Sequence, residues 1–224
     1  YLRDPNNQWF GLSKRARTIV FSNDQFSKDD FSSYEDLADP KWKGKLCLRT
    51  SKKVYNRSLM ASMIDTYGFE KTKDVVSGWV SNLATDVFSN DTNALKAVSS
   101  GQCGMTIVNT YYFARLLDDP QYDNLSLFWA NQDDRGVHVN ISGAGVVKTS
   151  ENKKNAILLL EYLSSNEAQD LYASANKEYP VLNGAKVHES IKGWGEFKED
   201  NINVSKLGSL QKDAVFLAQE VNYK

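Results

Sequence analysis

The sequence has almost no net charge and no long apolar run. Its 27 lysine and arginine residues are balanced by 28 aspartate and glutamate residues, which leaves a formal net charge of −1 over 224 residues. A chain without a strong field of one sign has no overall attraction for nucleic acid or for an anionic membrane surface. No apolar run approaches the roughly 18 residues that a membrane-spanning helix needs. We therefore predict no nucleic-acid partner, no membrane span, and a ligand that is recognised locally.

The motifs of the common catalytic and metal sites are also missing. His138 and His188 are the only histidines, and they do not have the close spacing of a zinc site. The two cysteines do not form a CxxC pair. Gly143-Ala144-Gly145 lacks the third glycine and the following helix of a dinucleotide-binding loop, and it favours a hinge or close packing instead. No nucleophile elbow is present. Nothing in the sequence therefore indicates an enzyme.

The two cysteines leave two interpretations open. Cys47 in GKLCLR and Cys103 in GQCGMTIVN each lie at the start of a strand-like run, and neighbouring parallel strands would bring them together. A disulfide would indicate an oxidising compartment such as the periplasm. Two buried free thiols, packing as small apolar side chains, would fit the spacing equally well.

Strand-like runs alternate with helical periodicity along the chain. The strand-like runs are RARTIVFS, KLCLRT, TDVFS and CGMTIVN, and the helical ones are NRSLMASMIDTYG, EKTKDVVSGWVSNL, DTNALKAVSSG and YYFARLLDD. The last of these helices is expected to end near Pro120. This rhythm predicts an α/β fold with mostly parallel sheets flanked by helices.

Two extended segments flank the middle of the chain. RARTIVFSND precedes residues 34–135, and VHVNISGAGVVK follows them. Such a pair indicates that one lobe is inserted into another through a hinge of two extended strands. We predict a first lobe from residues 1–33 and 136–224, including the C-terminal helices, and a second lobe from residues 34–135. Since the chain opens at Tyr1 in the manner of a domain interior, we expect the first part of the first lobe to be missing.

Tyrosines follow two of the predicted strands. Tyr111 and Tyr112 come after CGMTIVNT, and Tyr55 follows KLCLRTSKKV at the start of a helix. Ligands of open α/β sheets bind beyond the carboxyl ends of the strands. Because neighbouring side chains on a strand or a helix point in different directions, a turn is needed to converge two adjacent tyrosines. We predict that the three phenols face one cleft, the alternative being that these aromatic rings cap a core.

The chemistry of phenol narrows the choice of ligand. A phenol has a pKa of about 10 and binds a metal only after losing its proton, which a small, highly charged cation can displace. Phenolate is an established donor to iron(III), and three phenolates would balance a 3+ ion. Arg115 lies four residues after Tyr111 and three after Tyr112, where its charge would favour the ionised phenol. The alternative is a solvated Arg115.

The predicted helix at NDTNALKAV is a candidate for anion binding. Its first N–H groups could bind an anion, and Asn90, Asp91 and Thr92 could contact a synergistic anion such as carbonate. Helix capping explains the same three residues equally well.

Five segments together resemble one known family: RTSKKVYNRSLMASMI, GQCGMTIVNTYYFARLL, VHVNISGAGVVKTS, EYPV and GWGEFKED. They are similar to the periplasmic ferric iron-binding proteins, the iron(III) solute-binding components of bacterial ABC transporters, over nearly the whole chain. The resemblance implies a two-lobed periplasmic binding protein fold of type II. It also implies that Tyr55, Tyr111 and Tyr112 bind iron(III), and that Arg15 and Arg115 contact these ligands or an anion.

The resemblance implies a transport role. The protein would be a periplasmic monomer that captures ferric iron and delivers it to the permease of an ABC transporter at the inner membrane, without catalysing a reaction. The sequence departs from the family by lacking the first part of the N-terminal lobe, which in relatives carries a further Tyr or His ligand. Two alternatives remain: a binding protein of the same fold for an anion or a small organic solute, and an α/β enzyme or sensor domain.

Overall fold

A computed structural model describes residues 2–224, with the side chain of Ala173 left out. The strands are β1 (Phe10–Ser22), β2 (Leu46–Cys47), β3 (Met105–Asn109), β4 (Leu125–Phe128), β5 (Val139–Ala144) and β6 (Tyr179–Pro180). The helices are α1 (Val54–Tyr67), α2 (Phe69–Ser81), α3 (Asp91–Ser99), α4 (Thr110–Ala114), α5 (Lys153–Leu163), α6 (Asn166–Asn176), α7 (Glu189–Lys192), α8 (Val204–Ser209) and α9 (Gln211–Glu220). Short 3-10 turns occupy Lys28–Asp30, Glu35–Ala38, Pro40–Trp42 and Pro120–Tyr122.

The long strand β1 organises the sheet. Its first half pairs antiparallel with β5, from Phe10 opposite Ala144 to Ala16 opposite Val139, and also with β6. Its second half lies between β3 and β4 and is antiparallel to both. β2 then pairs parallel with β3 on the far side. The two predicted flanking segments are therefore both extended, and they pair with each other.

The fold class predicted from the sequence is confirmed, but the sheet is mixed rather than mostly parallel. The β2–β3 pairing is parallel, as the alternation of strands and helices between them predicts, because a helical crossover joins them. The four pairings made by β1 within residues 2–224 are antiparallel. β1 comes before the crossover unit and enters the sheet in the opposite direction, which sequence alternation alone does not reveal.

Two of the predicted elements are shorter than expected. TDVFS forms only an isolated bridge, between Phe88 and Arg49, rather than a strand. The helix expected from Tyr111 to the region of Pro120 ends at Ala114. From Leu116 the backbone N–H bonds to the carbonyl three residues back, at Phe113, so tighter turns replace the α-helix.

The main core lies between the sheet and the helices α1, α2, α8 and α9. Apolar residues of β1 such as Ile19 and Phe21 pack there with Leu59 and Met63 of α1 and Trp79 of α2. Helix α9, near the end of the chain, packs against α1 and α2. This core includes residues from both predicted lobes. The lobe boundaries and the hinge remain predictions.

Helix α5 lies on the surface. None of its eleven residues is buried among the side chains described, and Leu158 is 63% exposed and Leu159 57% exposed. Ile157 and Tyr162 on the same helix and Val147 before it are also exposed. Within residues 2–224, no helix combines the length and the apolar character that crossing a membrane requires.

A disulfide joins Cys47 at the end of β2 to Cys103, which lies just before β3. The Cα atoms are 5.8 Å apart, within the range of an ordinary disulfide. The bridge closes a loop with a sequence separation of 56 residues, and this loop contains Tyr55 and the helices α1, α2 and α3. The covalent link therefore holds together the two parallel strands whose ends carry the predicted tyrosine turns.

We expect the double variant Cys47→Ala, Cys103→Ala to lower the free energy of unfolding by about 4 kcal/mol, the loop-closure value for a loop of this length. Urea unfolding of the variant and of the oxidised wild-type protein measures the difference. Both cysteines are replaced because a single substitution would leave the other as an unpaired, reactive thiol. Equal unfolding midpoints for the two proteins would show that the bridge does not constrain the unfolded chain.

Candidate functional site

The three predicted tyrosines lie at the carboxyl ends of β2 and β3. Tyr55 is the second residue of α1, which follows β2 after a short loop, and Tyr111 and Tyr112 are the second and third residues of α4, which directly follows β3. Since β2 and β3 are parallel neighbours, both turns emerge at the same edge of the sheet. The rings of Tyr111 and Tyr112 have their centroids 4.4 Å apart.

The structure brings all three phenols together around Tyr111. Tyr111 is 9% exposed, and burial is the main reason why its pKa is raised well above its ordinary value. Interactions of its hydroxyl with those of Tyr112 and Tyr55 raise the pKa further, whereas the Asn109 side chain lowers it. Tyr55 and Tyr112 are partly exposed. In this cluster Tyr111 is therefore buried, whereas Tyr55 and Tyr112 are accessible from solvent.

Guanidinium groups surround the phenols. The Arg115 guanidinium lies over the Tyr111 ring, 5.0 Å from its centroid, as the four-residue spacing predicts. Arg49 lies over the Tyr55 ring at 4.6 Å, and Arg17 is 6.0 Å from the same ring. Positive charge near a phenol favours its ionised form, which is the form that binds a metal.

Asp91 is buried between two of these arginines. Its Oδ2 atom accepts a hydrogen bond from Nη1 of Arg17 at 2.6 Å, and its Oδ1 atom accepts one from Nη1 of Arg49 at 3.1 Å. The side chain of Asp91 is fully buried, and those of Arg17 and Arg49 are 1% and 4% exposed. Oδ2 also accepts the backbone N–H of Asn109 at 2.9 Å. We call Arg17, Asp91 and Arg49 the buried charge cluster; its net charge is +1.

The residues predicted to contact an anion at the start of α3 have different environments. Asn90 caps the helix, since its side chain accepts the backbone N–H of Asn93 at 2.9 Å. Thr92 is partly exposed on the first turn. Asp91 faces the interior, and its carboxylate is occupied by the two arginines. The capping interpretation accounts for Asn90, and an anion contact at the start of α3 stays a prediction.

The partner described for the Arg15 side chain is not a phenol. The Nη1 atom of Arg15 donates to Ser142 of β5 at 2.6 Å, in the half of β1 that pairs with β5. Of the contacts described for residues 2–224, none joins Arg15 to Tyr55, Tyr111 or Tyr112. The predicted contact of Arg15 with the tyrosines or with an anion therefore stays a prediction.

Three residues beside the site, Arg17, Arg49 and Asn109, are not predicted as functional by the sequence. Arg17 donates to Oδ1 of Asn56 at 2.9 Å and to Oδ1 of Asn109 at 3.2 Å, in addition to Asp91. A signal was present, because Arg17 interrupts an apolar strand and Arg49 follows the apolar run KLCL. A charged residue inside a buried strand needs a partner, but the sequence does not show which residue supplies it.

The C-terminal residues hold the loop that carries Tyr55. The Tyr223 hydroxyl donates to the carbonyl of Arg49 at 2.6 Å and accepts from the Asn56 amide. The Ser51 hydroxyl donates to the Tyr223 carbonyl at 2.7 Å, and the Ser51 N–H donates to the Lys224 carbonyl at 2.8 Å. Nothing in the local sequence around Tyr55 indicates this contact, since the partners are more than 160 residues apart.

Conventional metal ligands do not supply an alternative site. Within residues 2–224, no group of three or more His, Cys, Asp or Glu side chains is placed so that it could hold a metal ion. His138 is 1% exposed and lies 3.1 Å from the Ser58 hydroxyl, and the side chain of His188 contacts Ser190. Both histidines have structural partners, which leaves the phenols as the candidate ligands.

Comparison with known proteins identifies a family and several relatives. The profile of a family described as bacterial extracellular solute-binding protein matches residues 1–198. The chain is 44% identical over 230 residues to iron uptake protein A1 of a Synechocystis species, and 41% identical over 231 residues to iron uptake protein A2 of the same organism. A solved structure of a Trichodesmium protein, FutA or IdiA, in complex with iron and citrate superposes with a TM-score of 0.97 at 43% identity.

The chain spans only part of these proteins. All of it is aligned with each of these three relatives, but it covers 64% of iron uptake protein A1, 67% of iron uptake protein A2 and 72% of the Trichodesmium chain.

We expect acid to destabilise the protein through His138. Burial, aided by the positive charges of Arg135, Arg17 and Arg15, lowers the pKa of His138 to about 3. Below pH 6.5 the unfolded chain takes up a proton at this residue and the folded protein does not, so the free energy of unfolding falls until about pH 3. Between pH 7.5 and 5 this contributes a loss of about 2 kcal/mol.

Urea unfolding at each pH measures this loss in the wild-type protein and in His138→Gln, which should lack it. His188→Gln, which keeps His138, serves as the matched control and should show the wild-type loss. If His138→Gln loses as much stability as the wild type between pH 7.5 and 5, the acid sensitivity has another source.

Proposed function

Because the chain belongs to the bacterial extracellular solute-binding protein family, we propose that it captures ferric iron through the phenolates of Tyr55, Tyr111 and Tyr112. The observation that carries the proposal is the convergence of the three hydroxyls on Tyr111 from two different strand-to-helix turns. Hard oxygen donors suit a hard cation, and three phenolates neutralise iron(III).

The residues around the phenols favour the binding of a highly charged cation over that of a less charged one. A phenol with a raised pKa, such as Tyr111, gives up its proton only to a cation that binds its oxygen strongly. The guanidinium groups of Arg115 and Arg49 over the rings favour the anionic ligands once they form. Iron(III) therefore fits this site better than a softer or less charged ion, and acidification is expected to favour release, because the phenolates are then protonated.

The relatives and the disulfide support a role in iron uptake outside the cytoplasm. Two Synechocystis relatives are named iron uptake proteins, and the Trichodesmium relative binds iron and citrate in its solved structure. The bond between Cys47 and Cys103 fits the oxidising periplasm. We propose that the protein acts in the periplasm as a carrier rather than an enzyme, and hands its iron to the permease of an ABC transporter.

A second candidate function is the binding of a small organic anion with or without iron. The citrate in the Trichodesmium structure favours this candidate, and Arg115 supplies a guanidinium at the edge of the tyrosine cluster. A synergistic anion such as carbonate would use the same groups. If an organic anion bound without iron, the tyrosines would stack on it instead of losing their protons.

The test is the visible spectrum of the purified protein after addition of iron(III) as its citrate chelate. We expect a red or orange band from charge transfer between phenolate and iron. Citrate without iron is the companion titration, followed by calorimetry. A colourless protein that binds citrate alone would support the second candidate and contradict the first.

Removal of one hydroxyl identifies the ligands. We expect Tyr112→Phe to lose most of the iron affinity and most of the band, because only a donor atom is removed and the ring remains. Tyr162→Phe, a change of the same kind on the exposed face of α5, is the matched control and should bind iron as the wild type does. An unchanged affinity in Tyr112→Phe would rule out the assignment of this ligand.

A further inference from the structure

We propose that Asp91 is a positioning residue for the tyrosine site, because its buried carboxylate ties together the two turns that carry the three phenols. The inference deepens the proposed function and rests on it for the identity of the ligand. Asp91 does not touch the phenols in the described contacts; it acts through Arg49 on one turn and through Asn109 on the other.

The first link runs from Asp91 to the turn of Tyr111 and Tyr112. Oδ2 of Asp91 accepts the backbone N–H of Asn109 at 2.9 Å, and Asn109 is the last residue of β3 before α4. Arg17, which is paired with the same oxygen at 2.6 Å, donates from Nη1 to the Asn109 side chain at 3.2 Å. The start of the tyrosine turn is therefore held by the carboxylate through both the backbone and the side chain of Asn109.

The second link runs from Asp91 to the turn of Tyr55. Oδ1 of Asp91 accepts from Nη1 of Arg49 at 3.1 Å, and the Arg49 guanidinium lies over the Tyr55 ring at 4.6 Å. Arg17 donates from Nη2 to Oδ1 of Asn56 at 2.6 Å, directly after Tyr55 in the chain. One carboxylate thus determines where two guanidinium groups sit relative to the Tyr55 ring.

Arg17 and Arg49 both depend on Asp91, because the described contacts give them no other carboxylate partner. Two guanidinium groups lie beside a single carboxylate in a fully buried place. If the carboxylate were lost, the two like charges would repel each other, and both would move. The turns on either side would then move as well, since each is bonded to one of these groups.

The experiment compares Asp91→Asn with Asp200→Asn in the 224-residue chain. Asp200 is a matched control: its carboxylate is 9% exposed and pairs with the buried Arg135 at 2.9 Å, but Arg135 pairs with Glu35 rather than with a tyrosine turn. Both variants should lower the thermal midpoint. Three quantities are measured for each: iron affinity by competition with citrate, the position of the charge-transfer band, and amide hydrogen exchange without iron.

We expect Asp91→Asn to lose iron affinity at least tenfold, to shift the band, and to exchange faster in the peptides that contain Asn109 and Tyr55. Asp200→Asn should keep the wild-type values of all three quantities. A merely structural role for Asp91 would move the thermal midpoint but not the band. The proposal is overturned if the two variants share the same affinity and band, or if exchange in the two tyrosine turns is unchanged.

A milder variant covers the case in which Asp91→Asn does not fold. Arg49→Gln leaves a neutral pair between Arg17 and Asp91, so it should fold, yet it removes one of the two guanidinium groups that connect Asp91 to the turn of Tyr55. Faster exchange around Tyr55 and weaker iron binding are expected, and wild-type behaviour in both would overturn the proposal. If the wild-type protein itself shows no band, the proposed function fails, whereas the exchange data still decide whether Asp91 positions the two turns.

Discussion

The position of the tyrosine site depends on one buried ion cluster. Asp91 at the start of α3, Arg17 on β1 and Arg49 after β2 meet in the interior, where none of their charges reaches water. Removing the carboxylate would leave two uncompensated positive charges in the interior, and breaking a buried ion pair in this way costs about 3–5 kcal/mol. The sheet, the first turn of α3 and the loop before α1 are therefore held in one arrangement, and the phenols are carried on the segments that follow.

A buried ion cluster contributes little net stability, because the cost of removing charges from water offsets their attraction. We attribute its presence to geometry and charge. The cluster leaves a net positive charge beside Tyr55, and Arg115 adds another over Tyr111. The phenols that we propose as ligands must become anionic to bind a metal, and fixed positive charges lie beside two of them. The disulfide and the Tyr223 contacts keep these segments from separating.

The sequence predicted those features that depend on neighbours along the chain. The apolar runs located β1, β3 and α1, and the placement of Tyr55, Tyr111 and Tyr112 after parallel strands predicted that their hydroxyls meet. It could not predict the direction in which β1 enters the sheet, because strand direction depends on how distant segments pair. It also missed the partners of Arg17 and Arg49, since Asp91 lies 74 and 42 residues away from them and reads locally as a helix cap.

The exposed helix α5 has a consequence for how the chain behaves in solution. An isolated helix of eleven residues is marginal in water, and α5 receives no stabilisation from buried side chains. Local unfolding should therefore begin there, with the core around β1 still intact, and proteases should cut this segment first. The helix that is expected to unfold first, α5, is thus separate from the turns that carry the tyrosine cluster.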